Sequence, residues 1–154
     1  EGGKLIFIRH AYAPGSGDPD NFNLNDCSTQ RNLSKEGQRQ AEYIGEFFRN
    51  NKVKIDEVLS SEWCRCKETA KIAFNNFSTN SFLNSFYSSK FAKNEDKQVK
   101  ALKEYIKKFE SDKNLVLVTH YVLISEILNY GPSSGEIVVS NKNLNIIGSL
   151  EINY

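Results

Sequence analysis

Along the chain, short apolar runs alternate with stretches whose hydrophobic positions recur every three to four residues, so strands and helices are expected in turn. Residues 4–8 form a β-rich apolar run that stops at Arg9-His10, and the segment from Ala11 through Pro14-Gly15-Ser16-Gly17-Asp18-Pro19 is a loop by its Gly and Pro content. From Ser34, a good N-cap, Ala41, Ile44, Phe47 and Phe48 keep a helical spacing up to Asn50-Asn51. Residues 55–59 predict a second strand, and Ser60-Ser61 is read as the cap of a helix whose apolar face carries Ala70, Ile72, Ala73 and Phe77.

The Asn and Ser content of residues 75–89 breaks the period and predicts loop, apart from a short strand at 82–86. Between residues 95 and 109, Val99, Leu102, Tyr105, Ile106 and Phe109 line one helical face, and the lysines between them read as a solvated face. Residues 114–118 are the most apolar strand; it ends at Thr119-His120 and is followed by an apolar helix over 122–128. After Gly131-Pro132-Ser133-Ser134-Gly135, residues 136–140 and 145–152 predict two closing strands, an antiparallel pair on the sheet edge. Without repeats or linkers, the pattern predicts one domain over residues 1–154. The class is α/β: a three-layer α/β/α sandwich with a mainly parallel sheet, which binds ligands beyond the carboxyl ends of its strands.

Composition narrows the function. A formal net charge of +1 gives no global field to gather nucleic acid or coat an anionic membrane, and no apolar run approaches the roughly 18 residues of a membrane helix. Any anion preference must therefore be local, and a monomer or weak dimer is expected. Cys64 and Cys66 flank one residue and no second pair exists, which disfavours a zinc site. A disulfide from Cys27 to Cys64 or Cys66 would fit an oxidising compartment; three reduced thiols are the equal alternative. Glu1-Gly2-Gly3 runs straight into the first strand, so a native leader is expected upstream.

Two histidines occur, His10 and His120, and each directly follows a short apolar strand. Arg9 precedes the first, and Arg65 opens the helix after the second strand, on the same rim. Guanidinium forks bind phosphate oxygens bidentately, so two arginines with two imidazoles suit a tetrahedral dianion. Nearby guanidinium charge also keeps an imidazole neutral and nucleophilic. The same charge stabilises the equatorial oxygens during in-line transfer, so neither metal nor cofactor is required. The competing reading of Arg65 is a surface ion pair with Glu62 or Glu68.

Ile8-Arg9-His10, Ser60-Ser61 with Arg65 and Thr69-Ala70, and Val118-Thr119-His120 together resemble the histidine phosphatase superfamily, the phosphoglycerate mutase-like fold. The stretch from Arg31 through Leu33-Ser34, Gly37 and Gln40-Ala41 is similar to that family's first-helix signature. The resemblance runs from about Lys4 to Glu136. It implies His10 as the nucleophile that carries a phosphohistidine, with Arg9, Arg65 and His120 as its pocket. Arg31 sits where relatives place a polar, substrate-binding residue, with a salt bridge as the equal alternative. The family's glycine after the nucleophile is Ala11 here, and the cysteines and the Ala13-Pro14-Gly15 loop resemble a small exported bacterial subgroup, which implies a periplasmic or secreted protein, with the cytoplasm as the alternative.

Where mutases of the family carry a glutamate, Leu83-Asn84 offers an amide, which weakens a mutase reading. Asp18 is the chosen general acid, ahead of Asp20 and Glu136, with a turn role before Pro19 as its competitor. A phosphohistidine substrate would need no acid. The expected activity is metal-independent hydrolysis of a phosphomonoester or phosphoramidate; the alternatives are a phosphate-binding protein without turnover or, less favoured, a mutase. A cysteine phosphatase is excluded, because the arginine it needs six residues on is Leu33, Ala70 or Ile72 here.

Overall fold

The computed structural model describes residues 2–154; Glu1, which heads the Gly2-Gly3 segment, lies outside them. Six strands form one sheet: β1 (Leu5–Arg9), β2 (Ile55–Ser60), β3 (Ser78–Thr79), β4 (Asn114–Thr119), β5 (Ile137–Ser140) and β6 (Ile146–Leu150). Their order is β3-β2-β4-β1-β5-β6. The first four pair in parallel, while β5 runs antiparallel to both β1 and β6, which gives the antiparallel edge expected from the pattern. Four helices connect them: α1 (Lys35–Asn50), α2 (Cys64–Phe74), α3 (Glu95–Lys108) and α4 (Tyr121–Leu128).

Side-chain alternation along the central strands builds the layers. Leu5 and Phe7 of β1, with Leu115 and Leu117 of β4, pack on one face with Leu102 and Ile106 of α3 and Leu123 and Ile124 of α4. Ile6, Ile8, Val116 and Val118 pack on the other with Ile44 and Phe48 of α1 and Ala70 and Ala73 of α2. Strands buried on both faces read as near-continuous apolar runs, which is why β4 is the most apolar strand.

Three local expectations need correction. Residues 82–86 form no strand: a 3-10 turn spans Ser81–Leu83, and a two-residue edge strand, β3, precedes it. Ser60-Ser61 does not cap α2 directly, since Trp63 holds the cap position and makes no side-chain cap bond; Gln30 Oε1 accepts from the Cys64 amide instead, at 2.9 Å. Phe77 falls beyond the end of α2, although it packs against the same core.

Candidate active site

Register brings the histidines together. Ile8 pairs with Val118 and Arg9 with Thr119, so the next residues, His10 and His120, leave neighbouring parallel strands side by side. The His10 amide donates to the Thr119 carbonyl at 3.0 Å, and the two rings meet edge-on with centroids 5.6 Å apart. Both are buried beneath a cavity of about 410 Å³ lined also by Arg9, Arg31, Arg65 and Asp18.

The loop after His10 is clamped from two helices. Thr69 Oγ1 of α2 accepts from the Ala11 amide at 3.0 Å, and Gln40 Oε1 of α1 accepts from the Tyr12 amide at 2.9 Å. Gln40 Nε2 in turn donates to the Ser134 carbonyl at 2.8 Å, tying in the loop before β5. Gly37 admits this packing: a Cβ there would lie 2.0 Å from the Tyr12 carbonyl oxygen.

His10 Nδ1 lies 2.8 Å from its neighbour's carbonyl, Ala11 O, which can only accept, so Nδ1 carries the proton and Nε2 carries the lone pair. Arg65 Nε, a pure donor, faces that Nε2 at 3.3 Å, in agreement with this tautomer. Burial first, and the Arg65 charge second, hold His10 well below the ordinary imidazole range. The same two causes, in that order, hold His120 low. Both rings are therefore neutral at neutral pH.

His120 is held differently. Its Nε2 lies 2.8 Å from Ser61 Oγ and 3.5 Å from Cys66 Sγ, and its ring meets Trp63 edge-on. Ser61 is held in turn by Asn84, whose Oδ1 accepts from the Ser61 hydroxyl at 3.2 Å and from the Glu62 amide at 2.8 Å. The amide found at the mutase glutamate position thus braces the β2–α2 turn and does not line the cavity.

Arg65 makes an ion pair, but with neither Glu62 nor Glu68. Its Nη1 donates to Asp18 Oδ1 at 2.8 Å and its Nη2 to Asp18 Oδ2 at 3.3 Å. The Trp63 indole N–H adds a bond to Asp18 Oδ2 at 3.1 Å, and the Arg31 amide one to Asp18 Oδ1 at 3.0 Å. Four donors converge on one carboxylate, so Asp18 serves here as an acceptor that fixes Arg65, while it also lines the cavity in which a proton donor would stand. Glu136 is no substitute: it is buried away from the cavity, where it accepts from Tyr130 Oη and from the Ser133 amide. Asp20 does line the cavity, on its exposed lip.

The other two arginines complete the positive wall. Arg9 donates to the Pro132 carbonyl at 3.0 Å and lies under the Tyr121 ring, and its buried Nε has no acceptor among the described residues. Among the described residues Arg31 forms no salt bridge; its Nε donates to the Gly17 carbonyl at 2.8 Å and its Nη1 to the Ala13 carbonyl, which braces the first loop. Burial and the Arg65 charge bring Arg31 down to about 10, still cationic at neutral pH. Four cations (Arg9, Arg31, Arg65, Lys90) against two carboxylates (Asp18, Asp20) leave the cavity with two surplus positive charges, matching a dianion.

The disulfide joins Cys27 to Cys64, with Cys66 a free buried thiol pushed up to about 12 by burial. The bridge ties the first loop to the start of α2, one residue before Arg65.

A family model for the histidine phosphatase superfamily (branch 1) matches residues 5–81, half of the 154-residue chain. The chain belongs to the histidine phosphatase superfamily. Solved structures agree on the fold. The protein histidine phosphatase SixA complexed with tungstate is 13% identical, with a TM-score of 0.62 over 97% of this chain and 96% of that one. Phosphoserine phosphatase from Entamoeba histolytica in complex with 3-phosphoglyceric acid is 17% identical, with a TM-score of 0.64 over 98% of this chain and 96% of that one. A variant of that Entamoeba histolytica enzyme in complex with phosphoserine is 18% identical, covering 88% and 89%, with a TM-score of 0.63. No curated protein matches this histidine phosphatase chain in sequence.

Several residues of this histidine phosphatase site carry no advance signal of their position. Ser61, Thr69 and Gln40 sit within the stretches that suggested the family, but their bonds to His120, Ala11 and Tyr12 span 59, 58 and 28 residues. Trp63, a buried ring, also holds Asp18.

Proposed function

We propose that the chain is a single-domain phosphatase that transfers the phosphoryl group of a phosphomonoester or phosphoramidate to His10 Nε2 and then to water, without a metal. The observation that carries this reading is the orientation of His10: Nδ1 is fixed as donor by the Ala11 carbonyl, so the lone pair of Nε2 is held beside the Arg65 guanidinium. A neutral, buried imidazole ringed by guanidiniums is a nucleophile matched to an anionic electrophile. Arg9, Arg65 and His120 hold the transferred group, Arg31 fixes the loop over it, and the two surplus positive charges offset those of the phosphoryl oxygens. The Cys27–Cys64 bridge supports an oxidising compartment such as a periplasm.

Rapid quenching with a labelled aryl phosphate tests the reading: an acid-labile, alkali-stable label is expected on the wild type and none on His10→Ala. Turnover that resists a strong chelator is expected as well. Asp18 motivates a second reading, a phosphate-binding protein without turnover, because its carboxylate already occupies the Arg65 fork. Aryl phosphate hydrolysis that disappears in His10→Ala eliminates it.

A further inference from the structure

Beside its guanidiniums, the cavity has an aromatic component that the phosphate chemistry does not use. Phe22 stacks on Trp63 with ring centroids 5.0 Å apart and planes 25° from parallel. Phe91 stands edge-on to both, 5.7 Å from Phe22 and 5.4 Å from Trp63. Trp63 in turn meets the His120 ring at 5.4 Å. All of these residues line the same cavity. Exposure rises along the series, from buried His120 and Trp63 to half-buried Phe22 and Phe91. One continuous aromatic surface therefore leads from a histidine of the phosphate pocket towards solvent.

We propose that this surface receives the leaving group, and that the substrate carries its phosphoryl group on a single flat aromatic ring, linked through a phenolic oxygen. The inference rests on the phosphatase reading above and names its substrate class. Three observations converge on it. The wall is built of three aromatic rings packed face to face and edge to face, the pairings that a further ring would extend. Trp63 has one polar hydrogen, and it is already donated to Asp18, so the indole offers a leaving group no free donor. The cavity volume, about 410 Å³, lies towards the small end of ligand sites, which suits one ring and a phosphate better than an extended chain.

The proton inventory points the same way. Asp18 is held by four donors and Glu136 lies outside the cavity, which leaves Asp20 on the lip as its remaining carboxylate. In the first step the His10 Nε2 lone pair forms the N–P bond while the ester P–O pair departs with the phenolate, which takes its proton from water. Water then attacks phosphorus, the N–P pair returns to Nε2, and dihydrogen phosphate is released. Phenolate carries the departing charge on its own ring, so neither step needs a buried acid.

Binding measurements on non-hydrolysable analogues test the ring independently of turnover. Phenylphosphonate and cyclohexylphosphonate have similar size, but only the first is flat. By calorimetry, phenylphosphonate should bind about fivefold more tightly, the size of an aromatic pairing effect. Phe91→Leu, which keeps apolar volume, should cut that preference below twofold, and Phe22→Leu should reduce it in the same direction. Inorganic phosphate affinity serves as the check that each variant keeps its pocket. Equal affinities for the two phosphonates, or a preference that survives both substitutions, would overturn the proposal. A protein that binds phenylphosphonate preferentially yet never labels His10 keeps this inference and loses the phosphatase reading.

Discussion

His10 and His120 occupy equivalent places, each one residue past a central parallel strand, yet they are held by different neighbours. His10 is oriented from within its own strand end: its Nδ1 is fixed by the adjacent Ala11 carbonyl, so Nε2 keeps its lone pair beside Arg65. His120 is oriented from outside, through Ser61 of the β2–α2 turn and, behind it, Asn84. The difference teaches that strand-end placement supplies position, whereas second neighbours decide which nitrogen meets the ligand. In the proposed phosphatase, the first ring attacks and the second holds.

Substituting the two rings breaks the comparison most directly. His10→Ala should abolish the phosphoenzyme and lower kcat by a factor on the order of 10⁴ or more, the scale for loss of a nucleophile. His120→Ala should lower kcat by about 10²–10³, the scale for loss of one group that shapes a transition-state pocket, while the label still forms slowly on His10. Equal losses, with no label in either variant, would erase the distinction between attacking and holding rings.

Asp18→Asn sharpens the comparison from the arginine side. As the anchor of Arg65, Asp18 should affect all substrates alike, with kcat/KM falling about tenfold and stability by about 3 kcal/mol, as for a broken buried pair. A general acid would instead show losses that grow with leaving-group basicity, so a series of substituted aryl phosphates separates the two roles.

The smallest effect is that of mild acid. Both rings titrate below the unfolded value of about 6.5, so the native state binds fewer protons than the unfolded state as pH falls through that value. Stability is thus greatest above pH 6.5 and declines below it, by up to about 1.4 kcal/mol per pH unit for each histidine. Activity keeps the opposite shoulder: it should stay level through pH 6.5 and fall only where His10 itself protonates. Denaturant titrations and kcat/KM profiles over the same range separate the two curves.

Most of the fold was legible because its signals are local. β1 and β4 read as apolar runs, and α1 reads through Ala41, Ile44 and Phe48, which are all buried. The segment at 82–86 misled because Phe82, Leu83 and Phe86 are apolar and do enter the core. Its carbonyls, however, are met by a side chain and not by a strand: Gln98 Nε2 donates to Phe82 O at 3.4 Å and to Asn84 O at 2.8 Å. Of the site, the histidines and arginines were legible from their positions after strands and at a helix start. The role of Asp18 was not, because it depends on a partner 47 residues away and on an indole that reads as packing. The reading of Ser60-Ser61 as a helix cap failed similarly, since the bond to the Cys64 amide comes from Gln30, 34 residues earlier.

The bond from the His10 amide to the Thr119 carbonyl lies where the two innermost strands of the sheet emerge, between cores on both faces. Separating the two imidazoles means prying those strands apart, which no loop movement can do. Heat that separates the two imidazoles is therefore heat that melts the whole protein, and loss of the site and denaturation become one cooperative event.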